Sequence, residues 1–255
     1  MNHFPLKLKR VFFIFIYLIT IPVSSAQLPA DTLQLIFGIA PSKNSSHVTL
    51  SMFEKNGAGW LKIGAAWKGR LGRNGLAWGI GLHPRNMEGV RKKEGDGRSP
   101  AGMFRIGSES GFVFGYAPMV KKLATLPYKQ ITTKDLWVED SQSPYYNRHI
   151  LLPHQPKTKW EKKAQMRQGD NAHSLKLFIA HNEGTSKQRA TPDAGSSIFF
   201  HIWRGGGSKP TAGCTTMPET QLKTMISKID PSKNPVYVLL TADDSKKYRA
   251  TWKLP

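Results

Sequence analysis

His47-Val-Thr-Leu-Ser-Met-Phe53, then Asn56-Gly57, then the run 60–67 is the stretch whose reading decides the fold class. Val48, Leu50 and Met52 alternate with polar residues, which gives an extended strand one apolar face. Asn-Gly takes the left-handed backbone that a tight hairpin turn needs, so two antiparallel strands are expected here. A second pair, Asn74-Gly75, separates 68–73 from 76–80 and predicts another hairpin. Working outward, residues 103–106, 112–116, 175–180 and 198–203 read as further short strands. The run 236–241 is apolar enough for a strand buried on both faces. One helix stands out, 218–229, with Pro218 at its first turn and Glu219 at its positive end. Leu222, Met225, Ile226 and Ile229 fall on one of its faces. The pattern is mostly β with a few short helices. The stretches 84–100 and 153–169 are expected as long exposed loops inside it.

The first residues read as an export signal. Lys7, Lys9 and Arg10 precede an unbroken apolar run from Val11 to Ile21, Pro22 breaks it, and Ser24-Ser25-Ala26 offers small residues for cleavage. The apolar run is shorter than the ~20 residues that span a bilayer. We therefore expect a signal over 1–26, no stable membrane span after its removal, and one domain over 27–255 with its core at about 33–242. The chain carries 37 Lys and Arg against 17 Asp and Glu, a formal charge of +20. Such a balance attracts polyanions. An exported chain meets anionic envelope polymers rather than nucleic acid. The basic pairs Lys92-Lys93, Lys121-Lys122, Lys162-Lys163 and Lys246-Lys247 are scattered, as on a solvated surface.

Cys214 is the only cysteine. Outside the cytosol a structural cysteine normally has a disulfide partner, and this one has none in its own chain. It is therefore an inert thiol, one half of an intermolecular bridge, or a nucleophile. His201 closes the apolar run Ser197-Ile-Phe-Phe-His201, and the segment between them holds four glycines and a proline. That segment can fold back as a loop, placing an imidazole base opposite the thiol. Gly213 permits a bend directly before Cys214. The amides of Cys214 and Thr215, ahead of the helix, are candidates for an oxyanion site. His181 ends the strand 175–180 and would lie beside His201 if the two strands pair. His149 and His154 lack a metal-ligand pattern, and no H-E-x-x-H motif occurs, so the reading calls for no metal and no organic cofactor.

The segments Gly195-Ser-Ser-Ile-Phe-Phe-His201 and Pro210-Thr-Ala-Gly-Cys214 resemble the catalytic motif of the YkuD-type L,D-transpeptidases. Lys93-Glu-Gly-Asp-Gly-Arg-Ser-Pro-Ala-Gly-Met-Phe104 is similar to that family's preceding strand pair. Leu136-Trp-Val-Glu-Asp140 with Ser143-Pro-Tyr-Tyr-Asn-Arg148 looks like the signature of one bacterial branch. The resemblance implies a β-sandwich acting on peptidoglycan stem peptides in the periplasm or cell wall. Cys214 would attack the carbonyl of the third, diamino-acid residue and release D-alanine, with His201 as base. A second stem's amine would resolve the thioester into a 3→3 cross-link, or water would trim it. Gly213 and Thr215 would support the oxyanion. Many members carry histidine at Ala212 and arginine at Thr216; without that arginine, Arg204 or Lys209 on the intervening loop could substitute in holding the substrate carboxylate. Two other readings compete: a carboxypeptidase using the same pair, and a basic protein that clings to envelope polymers without catalysis.

Overall fold

The structure is a computed structural model that describes residues 1, 27–118 and 126–255. The expected signal beyond Met1, and the pair Lys121-Lys122, lie outside the described residues. Thirteen strands are found among those described: β1 Gln34–Ala40, β2 His47–Asn56, β3 Gly59–Arg70, β4 Leu76–Trp78, β5 Ser99–Arg105, β6 Val113–Gly115, β7 Tyr128–Gln130, β8 Asp135–Trp137, β9 His149–Leu151, β10 Leu175–Phe178, β11 Phe199–Ile202, β12 Thr215–Met217 and β13 Val236–Thr241. The helices are α1 Lys159–Lys163, α2 Glu219–Lys228 and α3 Ala242–Tyr248. Eleven strands form one sheet in the order β4-β5-β13-β1-β2-β3-β12-β11-β10-β6-β7, and β8 pairs with β9 apart from it.

The hairpin read from 47–67 is β2 and β3, antiparallel from His47↔Arg70 to Asn56↔Gly59. Val48, Leu50 and Met52 are buried, as their alternation requires. Its register shifts between Leu50 and Met52, where Ser51 of β2 faces three residues of β3, 64–66. Gly64, inside that bulge, has φ +72°. A bulge bends and twists a strand pair, and the sheet folds over on itself. Phe200 of β11 and Tyr237 of β13, well separated in strand order, bring their rings to 4.6 Å. An Ile106↔Ile179 bridge then ties the end of β5 to the end of β10. The result is mostly β, two layers of one sheet around a common core.

β13 is buried along its whole length, as its continuous apolar run predicts. Its parallel partner β1 escaped the sequence reading, although Leu-Ile-Phe in its centre is equally apolar. α2 matches its expected span, with Pro218 at the N-cap and Leu222, Met225, Ile226 and Ile229 buried. Full burial of each such side chain is worth about 1.5–3 kcal/mol.

Three expectations fail. Asn74-Gly75 does turn the chain, with the Gly75 amide donating to the Gly72 carbonyl at 2.9 Å. However, β4 pairs in parallel with β5 and not back onto β3. The turn carries the chain across to the other layer, where the Leu76 amide donates to the Lys43 carbonyl. The stretch 153–169 contains α1, started by a capping box between Thr158 and Glu161. Finally, 84–100 is not simply exposed: Met87, Lys92 and Ser99 are buried, and Lys92 pairs with Asp96 at 2.6 Å.

Candidate functional site

β10, β11 and β12 lie side by side and set the site. Lys176 of β10 stands opposite His201, and His201 stands opposite Thr216 of β12. Residues paired across a sheet point to the same face, so Lys176, His201 and Thr216 form one row. Phe200 and Thr215 pair one position earlier and point the other way, into the core, where the Thr215 hydroxyl meets the Tyr237 hydroxyl at 3.1 Å. Cys214 directly precedes Thr215 and returns to the His201 face, packed against the cluster of Phe114, Ile131, Trp137, Met166, Phe178 and Phe199.

His201 is buried, and its Nδ1 lies 2.9 Å from the Ile202 carbonyl. A carbonyl only accepts, so Nδ1 carries the proton and Nε2 is the basic nitrogen. Burial, then the neighbouring His173, lowers its pKa to about 3, which keeps the ring neutral at ordinary pH. His173 stacks on it at 4.8 Å and 28°. Asp170 holds His173 Nδ1 at 2.7 Å, and Arg204 closes on the same carboxylate at 2.6 Å. Although burial pushes the Asp170 carboxyl up, its bonds from Arg204 and His173 hold it far below the usual range.

The Cys214 thiol donates to the Ser197 carbonyl at 3.4 Å, and no hydrogen bond joins it to His201 among the described residues. Burial pushes its pKa up to about 11. At rest the pair is therefore thiol and neutral imidazole, not an ion pair. Ser197 has φ +59°, and its amide donates to Asn147 Oδ1 at 3.0 Å. A pocket of about 330 Å³ opens over the thiol, lined by Lys92, Glu94, Glu139, Lys163, Ser197 and Gly213 among others. Burial and the Glu94 carboxylate hold Glu139 above the usual carboxylate range. The Tyr146 hydroxyl donates to Glu94 at 2.5 Å. A buried-edge thiol, a neutral base on the same sheet face and a charged pocket above them suit acyl transfer through a cysteine.

Residues 63–238 match the family model of the L,D-transpeptidase catalytic domain, YkuD. The chain belongs to the YkuD L,D-transpeptidase family. That family is a family of L,D-transpeptidases acting on peptidoglycan. Among solved structures, one titled "Structure of Bdellovibrio bacteriovorus Bd1075" is similar at 12% identity and a TM-score of 0.40, covering 86% of this chain and 54% of that one. The chain thus spans about half the length of that structure. The comparison with curated proteins gives no match.

Within this YkuD domain the residues singled out from the sequence have separate positions. Cys214 is the residue before β12, on the sheet face of His201 in the parallel neighbour β11. Gly213 has no left-handed backbone; a Cβ there would stand 3.1 Å from the Arg98 carbonyl oxygen and from Ile198, so a side chain would have to push these neighbours back by a few tenths of an ångström. Its amide donates to Thr211 Oγ1 at 3.0 Å. Thr215 does not precede a helix directly, because β12 intervenes before α2. Arg204 is taken by Asp170, and both it and Lys209 are exposed on the 203–213 loop away from the thiol pocket.

His181 is displaced furthest from its expected place. The strands β10 and β11 do pair, but their antiparallel register sets Lys176, not His181, against His201. His181 is fully buried, accepts from the Ile80 amide at Nδ1 and reaches the Ala194 carbonyl at 3.0 Å through Nε2. Both nitrogens are committed to backbone, so the ring is a strut between loops.

The sequence reading missed Lys176, His173 and Asp170, whose roles depend on register. Glu94, Glu139 and Asn147 lie inside the stretches that carry the family resemblance, although spacing alone attached no chemistry to them.

Proposed function

We propose that this chain is an exported L,D-transpeptidase that works in the periplasm or cell wall with Cys214 as nucleophile and His201 as general base. One observation carries the reading: the single thiol lies at the floor of a charged pocket, on the sheet face of a neutral imidazole whose free nitrogen is Nε2. In the reaction, rotation of Cys214 about χ1 releases the sulfur from Ser197 and turns it toward His201. Nε2 takes the thiol proton as sulfur attacks the carbonyl of the third stem residue. The imidazolium returns that proton to the departing D-alanine amine, leaving a thioester. An acceptor amine then attacks the thioester, forming a 3→3 link and freeing the thiol.

The pocket suits a diamino-acid side chain, whose end carries both charges. Its ammonium faces Glu94 and Glu139, and its carboxylate faces Lys163. Lys163 has no ion-pair partner among the described residues, whereas Lys92 is held by Asp96. Lys163 takes the part that Arg204 and Lys209 were expected to play.

The test is covalent labelling followed by product analysis. A carbapenem-type β-lactam or a maleimide should label the intact protein once, and Cys214→Ser should abolish the adduct. Envelope from cells expressing the wild type should gain 3→3 dimers. Tripeptides without dimers would mean hydrolysis, and no adduct with no change in muropeptides would sink the enzyme reading.

A further inference from the structure

Lys176 is a buried lysine with no carboxylate in contact with it among the described residues. Its side chain is 4% exposed, and its ammonium donates to the Met166 carbonyl at 2.7 Å. No carboxylate of the described residues forms an ion pair with it. An ammonium taken out of water without an opposite charge in contact is costly, so its retention needs a reason. Its surroundings supply one. Lys176 stands opposite His201 in the sheet, and its Nζ lies 5.6 Å from the centre of the Phe199 ring. Phe199 is the β11 residue level with Cys214 in the sheet and belongs to the aromatic cluster against which Cys214 packs, with its amide toward the sulfur. The ammonium and the thiol thus approach the same aromatic cluster on the same sheet face.

We propose that Lys176 is a positioning residue for Cys214, a fixed positive charge that stabilises the thiolate as it forms. This deepens the nucleophile reading above and rests on it. The groups facing Lys176 are Cys214 from the turn before β12, Asp170 and His173 from the 3₁₀ turn Asn171–His173 and its cap, His201 from β11, and Glu139 from the segment after β8. Cys214 at rest is a neutral thiol, and the attraction between it and Lys176 arises only as the sulfur loses its proton. On His201, Lys176 ranks behind burial, His173 and the Ile202 carbonyl. The same charge also opposes the imidazolium. Burial lowers its own pKa to about 8, so it remains mostly charged at neutral pH. During attack the thiol proton goes to His201 Nε2, and Lys176 keeps all of its own; no bond to Lys176 forms or breaks.

The experiment is the rate of Cys214 alkylation by iodoacetamide in the folded protein, followed from pH 6 to 7.5, where Lys176 stays mostly charged. Lys176→Gln keeps a donor for the Met166 carbonyl and removes only the charge; Lys176→Arg keeps the charge. The Gln variant should be alkylated about tenfold more slowly across that range, the effect of losing a near opposite charge. The Arg variant should restore the rate toward the wild type. If the Gln rates match those of the wild type, Lys176 serves only the hydrogen bond and the proposal is wrong. Lys176→Met reports the same comparison should the Gln variant not fold. A wild-type thiol that resists alkylation at every pH would overturn the nucleophile reading, and with it this one.

Discussion

Asn147 is fully buried, and its side-chain amide makes four hydrogen bonds. Oδ1 accepts from the Trp137 indole at 2.8 Å and the Ser197 amide at 3.0 Å, and Nδ2 donates to the carbonyls of His181 at 2.8 Å and Asn182 at 2.7 Å. It also adopts φ +56°, which asparagine tolerates better than most residues. Through Ser197 it fixes the carbonyl that receives the Cys214 thiol. Asn147→Ala would orphan several buried groups, so we expect a loss of about 3 kcal/mol or more in urea unfolding. Asn147→Asp should fare no better, because a carboxylate cannot donate to the two carbonyls. A variant of either kind within 1 kcal/mol of the wild type, on the ~1 kcal/mol scale of a single hydrogen bond, would refute this account. Cys214 itself was legible as the odd thiol of the sequence. Asn147 was visible only inside a resemblance, since nothing in its neighbours announces three bonds to distant backbone and one to an indole.

At the scale of elements, the His201 strand and the Cys214 strand are parallel neighbours joined by the 203–213 segment. The crossover is short, and Gly205, Gly206 and Gly207 all take positive φ in it. β12 then leads through Pro218 into α2, whose buried face packs beside β11. Leu222 is 0% exposed, and Leu222→Ala should cost about 2–5 kcal/mol, read as a lowered denaturant midpoint with an unchanged slope. Labelling of Cys214 in the fraction still folded should persist, because α2 supports the strand and supplies no group to the thiol pocket. The helix was readable from periodicity, and the hairpin from alternation. The three-residue β12 carries no period of its own, and its pairing with β11 exists only once the crossover is formed.

The whole molecule concentrates neutral histidines in its interior. Burial lowers the pKa of His83 and His173 to about 4, and of His181 and His201 to about 3. An unfolded chain protonates these rings as pH falls through ~6.5, whereas the folded chain does not until near the lowered values. Protons therefore bind preferentially to the unfolded state between those limits, and stability falls as pH drops through the window. Each ring contributes a slope of up to about 1.4 kcal/mol per pH unit. Asp170 adds a further loss of the same sign at pH values below the ordinary carboxylate range. Melting temperature should hold steady between pH 7 and 8 and drop steeply below ~6.5. A flat melting curve down to pH 5 would show that these rings are not held neutral by the fold.

By itself, the sequence determined the β class, the central hairpin, the buried strand 236–241 and the helix after Cys214. All of these are local: they follow from alternation, helical periodicity, turn chemistry and residue type within a short window. Only the tertiary structure decided that His181 is a strut, that Thr215 faces the core, that Arg204 belongs to Asp170 and that Lys176 stands against His201. Those placements depend on strand register and on how one sheet folds over itself. A one-residue change in register turns every side chain to the opposite face, so no local pattern could have settled them.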